Sequence, residues 1–249
     1  CAGRGLSGTL SAKASNGPLP AQGRRATFAR RLDTYQPVGM HDTMQTNRTF
    51  RPVPVGAKAK LLEAATTLIR TKGFAGTSVD DLCTAAGVTK GAFFHHFASK
   101  ESLGVAAADF WSETTGAFFR EAPYNWHEDP LDRVLGYIDF RSELIEGPVE
   151  GFTCVAGTMV QECFHTSPAI RDACDASISG NAAMLEADIA KAIARYDVKD
   201  VSAKSLALHI QAVLQGGFIL AKAKGSADIA RETVTHLKRY FEMLFKRAR

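Results

Sequence analysis

Lys90, His95, His96 and Lys100 crowd into one short run, Gly87-Val88-Thr89-Lys90-Gly91-Ala92-Phe93-Phe94-His95-His96-Phe97-Ala98-Ser99-Lys100. Phe93 and Phe97 share one helical face at i and i+4, which leaves Lys90, Gly91, Phe94 and His95 on other faces. One side is built to pack, and the other is free to dock on a polyanion such as DNA. Lys100 follows Ser99 in a new first turn, where N–H groups and the positive helix end favour an anion such as phosphate. Metal chemistry fits poorly, because adjacent helical histidines point about 100° apart and no cysteine or carboxylate sits at a matching spacing. Covalent chemistry fits no better: the chain has no G-x-S-x-G elbow, P-loop, H-E-x-x-H or recognisable carboxylate pair, so no enzyme, metal or cofactor is expected.

The elements that would hold this run are legible around it. Residues 57–71 carry Leu61, Leu62, Ala65, Leu68 and Ile69 at helical spacing, and Lys72-Gly73 closes that helix with a cation and a stop. Ser78 and Asp81 approximate a capping box for a second helix whose buried stripe is Val79, Leu82, Cys83 and Ala86. Gly87 ends it in the left-handed conformation, Thr89 caps the third, and Val88 with Phe93 has the spacing of a hydrophobic staple. A packed surface helix would show the same aromatic spacing, but the tight turn between two short helices is that of a helix-turn-helix, whose second helix enters the major groove.

Thr77-Ser78-Val79-Asp80-Asp81-Leu82, Gly87-Val88-Thr89-Lys90-Gly91 and Phe97-Ala98-Ser99-Lys100-Glu101 together resemble the TetR family of bacterial transcriptional regulators over residues 57–103. The resemblance implies an all-α homodimer with an N-terminal three-helix DNA-binding domain and a larger helical domain for ligand binding and dimerisation. It places Ser78, Thr89, Lys90, Gly91, Ala92, Phe94, His95 and His96 at DNA, with Lys90 and His95 as base readers, and Lys100 at a phosphate. The family commonly has tyrosine where Phe94 stands, so one backbone contact worth roughly 0.5–3 kcal/mol is expected to be missing. Repression and release by a small-molecule effector follow from the family's habit, with operator DNA as the partner. Two alternatives accompany that reading: a cysteine-based redox or electrophile sensor, and a helical adaptor that has lost DNA binding.

Composition agrees with a regulator of this kind. At 249 residues and 45% hydrophobic, the chain can bury a sizeable core. No membrane span is expected. Residues 1–56 carry a net charge of +6, residues 57–100 of +3 and residues 101–249 of −5, a basic head on an acidic body that suits attraction to phosphate. Cys1, Cys83, Cys154, Cys163 and Cys174 form no C-x-x-C pair and are odd in number, so a reducing cytoplasm is the expected compartment. Cys154, Cys163 and Cys174, in the larger helical domain, are the residues an oxidant sensor would use.

Three segments are expected: a disordered basic leader at 1–54, the DNA-binding domain at 55–102 and the ligand-binding and dimerisation domain at 103–249. The leader is rich in Gly, Ser, Ala and Arg and has no acid before Asp33. Its Gly3-Arg4-Gly5-Leu6-Ser7-Gly8 matches a dinucleotide fingerprint by accident, with no strand before it or helix after it. With Met40 and Met44 close before the folded part, it reads as translated upstream sequence, as a transit-like segment or as a basic arm that follows DNA.

Beyond Ser99 the pattern stays helical. Leu103, Ala107, Phe110, Thr114 and Ala117 mark a long helix, and a fifth through Leu131, Val134, Leu135, Ile138 and Ile145 is stopped by Gly147-Pro148. A shorter helix runs through Val155, Met159, Val160 and Phe164, then a long one over 170–194. Ser202 caps a helix through Leu206, Ile210, Leu214 and Phe218, and the last spans 228–246. Gly216-Gly217 permits close backbone approach, which fits either an intramolecular helix contact or the implied pairing of the last two helices with their copies. In the family the effector sits among the middle helices; here these supply Trp111, Phe118, Phe140, Phe152, Met159, Cys163, Phe164, Leu214 and Phe218. Arg141, Gln161, Glu162 and His165 are candidates to orient a polar group.

Overall fold

The computed structural model describes residues 56–246; the leader, with its glycine pattern, Met40 and Met44, lies outside the described residues. Among them are ten α-helices, one 3-10 turn and no strand. The head comprises α1 (Ala57–Lys72), α2 (Val79–Ala86) and α3 (Lys90–His96), followed by α4 (Lys100–Glu121). The body comprises α5 (Pro130–Glu143), α6 (Val149–Phe152), α7 (Val155–Cys163), α8 (Pro168–Arg195), α9 (Ala203–Lys224) and α10 (Asp228–Leu244). The 3-10 turn Pro123–Trp126 makes the break after α4.

The packing does not divide at residue 102. One buried cluster joins Leu61, Ile69, Leu82, Phe93, Phe97 and Leu103 of the head to Met159 of α7 and Ile170 and Cys174 of α8. A second joins the far end of α4, at Phe119, to Tyr137 and Ile138 of α5, Ile189 of α8, Leu214 of α9 and Phe241 of α10. Helix α4 therefore lies in both cores. Its buried line is Leu103, Gly104, Ala107, Ala108, Thr115, Gly116 and Phe119, whereas the expected Ala117 is exposed and Phe110 and Thr114 are only partly covered. The stripe turns along the helix because its two halves pack against different cores.

Other expectations shift locally. Ile145 is buried but follows the end of α5, and Phe164 caps the C-terminus of α7 rather than continuing it. The four-residue α6 is too short to leave a period in the sequence. Gly217 is the close approach predicted for the glycine pair, but it serves an intramolecular contact: a Cβ there would meet the Thr233 hydroxyl at 2.7 Å and the Ala230 Cα at 3.5 Å, both on α10. Gly216 faces open space. Helix α9 is long and apolar enough to pass a length-and-composition test for a membrane span, a test that core helices also pass; here it packs between α8 and α10.

Candidate nucleic-acid interface

The head is assembled by its caps and one aromatic core. Ser78 Oγ accepts from the Asp81 N–H at 3.1 Å, while the Ser78 N–H donates to Asp81 Oδ2 at 2.8 Å, which closes the capping box. Lys72 bridges to the same carboxylate at 2.7 Å, tying the end of α1 to the start of α2. The Lys72 ammonium, with the Ser78 hydroxyl and N–H, holds the Asp81 carboxyl well below the usual carboxylate range. Gly87 ends α2 at φ 62°, where its N–H donates to Thr84 O at 3.2 Å and that of Val88 to Cys83 O at 3.0 Å, the paired bonds of a left-handed helix end. Thr89 then caps α3 by accepting from the Ala92 N–H at 3.2 Å.

Helix α3 has seven residues, too few to persist alone, so packing decides whether it exists. Phe93 is fully buried and lies 5.7 Å from Phe97, ring to ring; burying such a side chain contributes about 1.5–3 kcal/mol, more than a typical cap. That anchor fixes the opposite face. Ser78, Thr89, Lys90, Gly91, Phe94, His95 and His96 are all exposed, and Ala92 is partly so. Phe94 is 56% exposed although its ring stands edge-on to Phe93. Only Lys90 of these is in an ion pair, with Asp80 of α2 at 2.7 Å; both side chains are well exposed, so a phosphate or base edge can compete for the ammonium.

Lys100 departs from expectation. Its ammonium donates to the carbonyls of Phe74 and Ala75 at 2.8 and 3.3 Å and sits 4.5 Å over the Phe74 ring. It closes the loop after α1 instead of standing open to phosphate. A sequence shows a cation in a first turn but not the carbonyls that lie across from it.

The predicted effector residues divide between places. Trp111 and Phe152 line a cavity of about 40 Å³ together with Phe119, Arg141, Cys154 and Gln211. Met159 and Cys163 belong instead to the core beneath the head, and Phe164 is 60% exposed. Phe118 and Phe140 stack on each other at 5.3 Å, while Leu214 and Phe218 lie in the upper core; none of the four lines the cavity. Among the polar candidates Arg141 reaches the cavity and Gln161, Glu162 and His165 do not. Glu162 accepts from the Ala75 N–H at 2.7 Å, so α7 holds the loop of the head. Sequence reasoning missed that contact and a second one, in which Arg70 of α1 donates to the Gly151 carbonyl of α6 at 3.0 Å and lies 5.1 Å over the Trp111 ring.

Burial raises the thiols of Cys83 and Cys163 and pushes that of Cys174 up to about 12. Those three are poor nucleophiles at neutral pH. Cys154 is half-buried on the cavity wall, where its Sγ accepts from the Gly157 N–H at 3.4 Å. Among the described residues no group of three or more His, Cys, Asp or Glu is placed to hold a metal ion.

A capped helix-turn-helix with an exposed cationic and aromatic face, carried by an all-helical body, defines a helix-turn-helix transcriptional regulator. Comparison with known proteins gives the family. A sequence-family model described as bacterial regulatory proteins, tetR family, matches residues 61–107, and one described as tetracyclin repressor-like, C-terminal domain, matches residues 130–237. The chain belongs to the TetR family. It is 25% identical over 180 residues to the HTH-type transcriptional regulator LmrA of Bacillus subtilis, covering 70% of this chain and 90% of that one. It is 30% identical over 131 residues to the HTH-type transcriptional regulator EthR of Mycolicibacterium smegmatis, covering 52% and 58%. A TetR transcriptional regulator from Chloroflexus aurantiacus superposes with a TM-score of 0.65 at 28% identity, over 74% of this chain and 93% of that one. A TetR-family regulator from Agrobacterium tumefaciens shares the fold, with a TM-score of 0.66 at 22% identity over 76% and 98%.

Proposed function

We propose that the chain is an effector-responsive repressor of the cytoplasm, a homodimer that holds operator DNA with two copies of α3 and releases it when a small molecule enters the body. The observation that carries this reading is the continuity of α4, which begins in the core that seats α3 and ends at Phe119 on the cavity wall. Lys90 and His95 read base edges, and Ser78, Thr89, Gly91, Ala92, Phe94 and His96 complete the contact surface. Lys100 acts through the loop it closes. A ligand that prefers one tilt of α4 shifts the spacing of the paired heads, and its differential affinity sets the size of the response. The contacts of Glu162 and Arg70 with the head and with α6 make the loop follow the body.

Dimer formation is supported by an uncovered apolar face. Leu208, Gly216, Ile219 and Leu220 fall along one side of α9, and Tyr240 and Met243 along one side of α10. Met243 is 72% exposed. A glycine in mid-helix costs about 1 kcal/mol relative to alanine, and open Gly216 is accounted for if a partner helix approaches there. Paired heads would then meet half-sites roughly 34–36 Å apart or a multiple of that spacing.

The test is binding to the chain's own upstream intergenic duplex. The wild type is expected to bind and the Lys90→Ala, His95→Ala double variant to lose that binding. Retention by the variant would reject the assignment of α3. A thiol-sensing version rests on Cys154 alone, since the other three described thiols are buried with raised pKa. If Cys154→Ser kept the response to oxidants, it would be abandoned.

A further inference from the structure

Arg141 is the one charged side chain on the wall of the cavity among α4, α5, α8 and α9. Its Nε–H is buried without a hydrogen-bond partner, and no carboxylate of the described residues pairs with it. The guanidinium lies 5.0 Å over the Phe119 ring and 5.6 Å over that of Phe218. Ring faces offset part of the lost hydration of a cation, yet they offer no acceptor for its in-plane N–H donors. A buried donor on a charged group is costly to leave unmet, so an arginine held this way suits a bidentate anion.

The rest of the wall matches. Asn181 Oδ1 already accepts from the Tyr137 hydroxyl at 3.1 Å and from Gln211 Nε2 at 3.2 Å, which leaves the Asn181 amide nitrogen as a donor. Ser177 and Gln215 add further hydrogen-bonding groups, and Trp111, Ile178 and Phe152 supply apolar surface. A cation with several donors, no acid and an apolar remainder would oppose an amine and reward an acid. The cavity holds about three water-sized sites as it stands, so the occupant is compact or pushes side chains outward.

We infer that the effector is an organic anion, a carboxylate with a short apolar body whose charged end is taken by Arg141. This rests on the cavity being the effector site, as proposed above. Entry of the ligand would pull the end of α5 and Phe119 of α4 onto one charge, so the contact that binds is also the one that moves the lever.

The full-length protein is heated with acetate, butyrate or benzoate, with the amides of the same acids, and with inorganic phosphate. At about 10 mM an acid that binds with millimolar affinity is expected to raise Tm by roughly 2–4 °C, while amides and phosphate give no shift. Arg141→Met should abolish the shift without lowering the ligand-free Tm, because it removes a buried Nε–H donor that has no partner and keeps the packing; Arg141→Lys should retain part of it. Equal shifts from the amides, from phosphate or in Arg141→Met would overturn the inference. So would no shift from any of the three acids. A ligand-free Tm that falls in Arg141→Met would make the residue structural and reject it as well. Duplex binding by the wild type, measured on the same samples, separates this failure from failure of the repressor reading, since Tm is read without DNA.

Discussion

Phe94 is exposed on α3, and on the proposed reading a hydroxyl there would reach a phosphate. Phe94→Tyr is therefore expected to tighten duplex binding by about 0.5–1.5 kcal/mol, roughly 2- to 10-fold, by titration at fixed salt; unchanged affinity would mean that this position does not face the backbone. Asp81 carries a second prediction. Its folded pKa is depressed by Lys72 and Ser78, so its contribution is present above the ordinary carboxylate range and is lost as pH falls through the folded value. The Tm advantage of the wild type over Asp81→Asn should hold at neutral pH and shrink below about pH 4. The sequence displayed these two residues plainly because a cap is local and a seven-residue helix anchored by Phe93 has only one face to bury. It could not display Lys100, whose partners are carbonyls 25 and 26 residues away.

Among the elements, α4 is closely seated. A Cβ on Gly104 would meet Phe74 Cε2 at 2.8 Å and Ile170 Cδ1 at 2.9 Å, so nothing larger than glycine fits without movement. Gly104→Val is expected to cost about 1–3 kcal/mol by thermal or urea unfolding, and to shift effector response if α4 transmits it. Helix boundaries were largely legible from Ser78, Gly87, Thr89, Ser99 and Ser202, because a cap is set by its own few residues. The faces of α4 were not. Which residues of a long helix are covered depends on two cores met at different points along it, and that is a tertiary fact. Of the cavity wall only Trp111, Phe152 and Arg141 were legible, for the same reason: Phe118 and Phe140 chose each other while Thr115, Ser177 and Asn181 went to the cavity.

Across the whole molecule, the proposed dimer requires two copies held at one spacing if the heads are to share a duplex. Charging the uncovered face should undo this. Ile219→Glu with Met243→Glu is expected to give a monomer by analytical ultracentrifugation, with a thermal midpoint near that of the wild type and much weaker duplex binding; a persistent dimer would move the interface elsewhere. On the proposed reading α3 reads DNA through an exposed face while a basic head draws in the phosphates. The most direct test of that reading is the affinity of the purified protein for its upstream intergenic duplex as salt is raised, beside the Lys90→Ala, His95→Ala variant. The wild type should bind tightly and weaken steeply, with a log–log slope of about −0.9 for each phosphate contacted, and the variant should keep only weak binding indifferent to sequence. Equal binding by both proteins, or a wild-type affinity unmoved by salt, would contradict it.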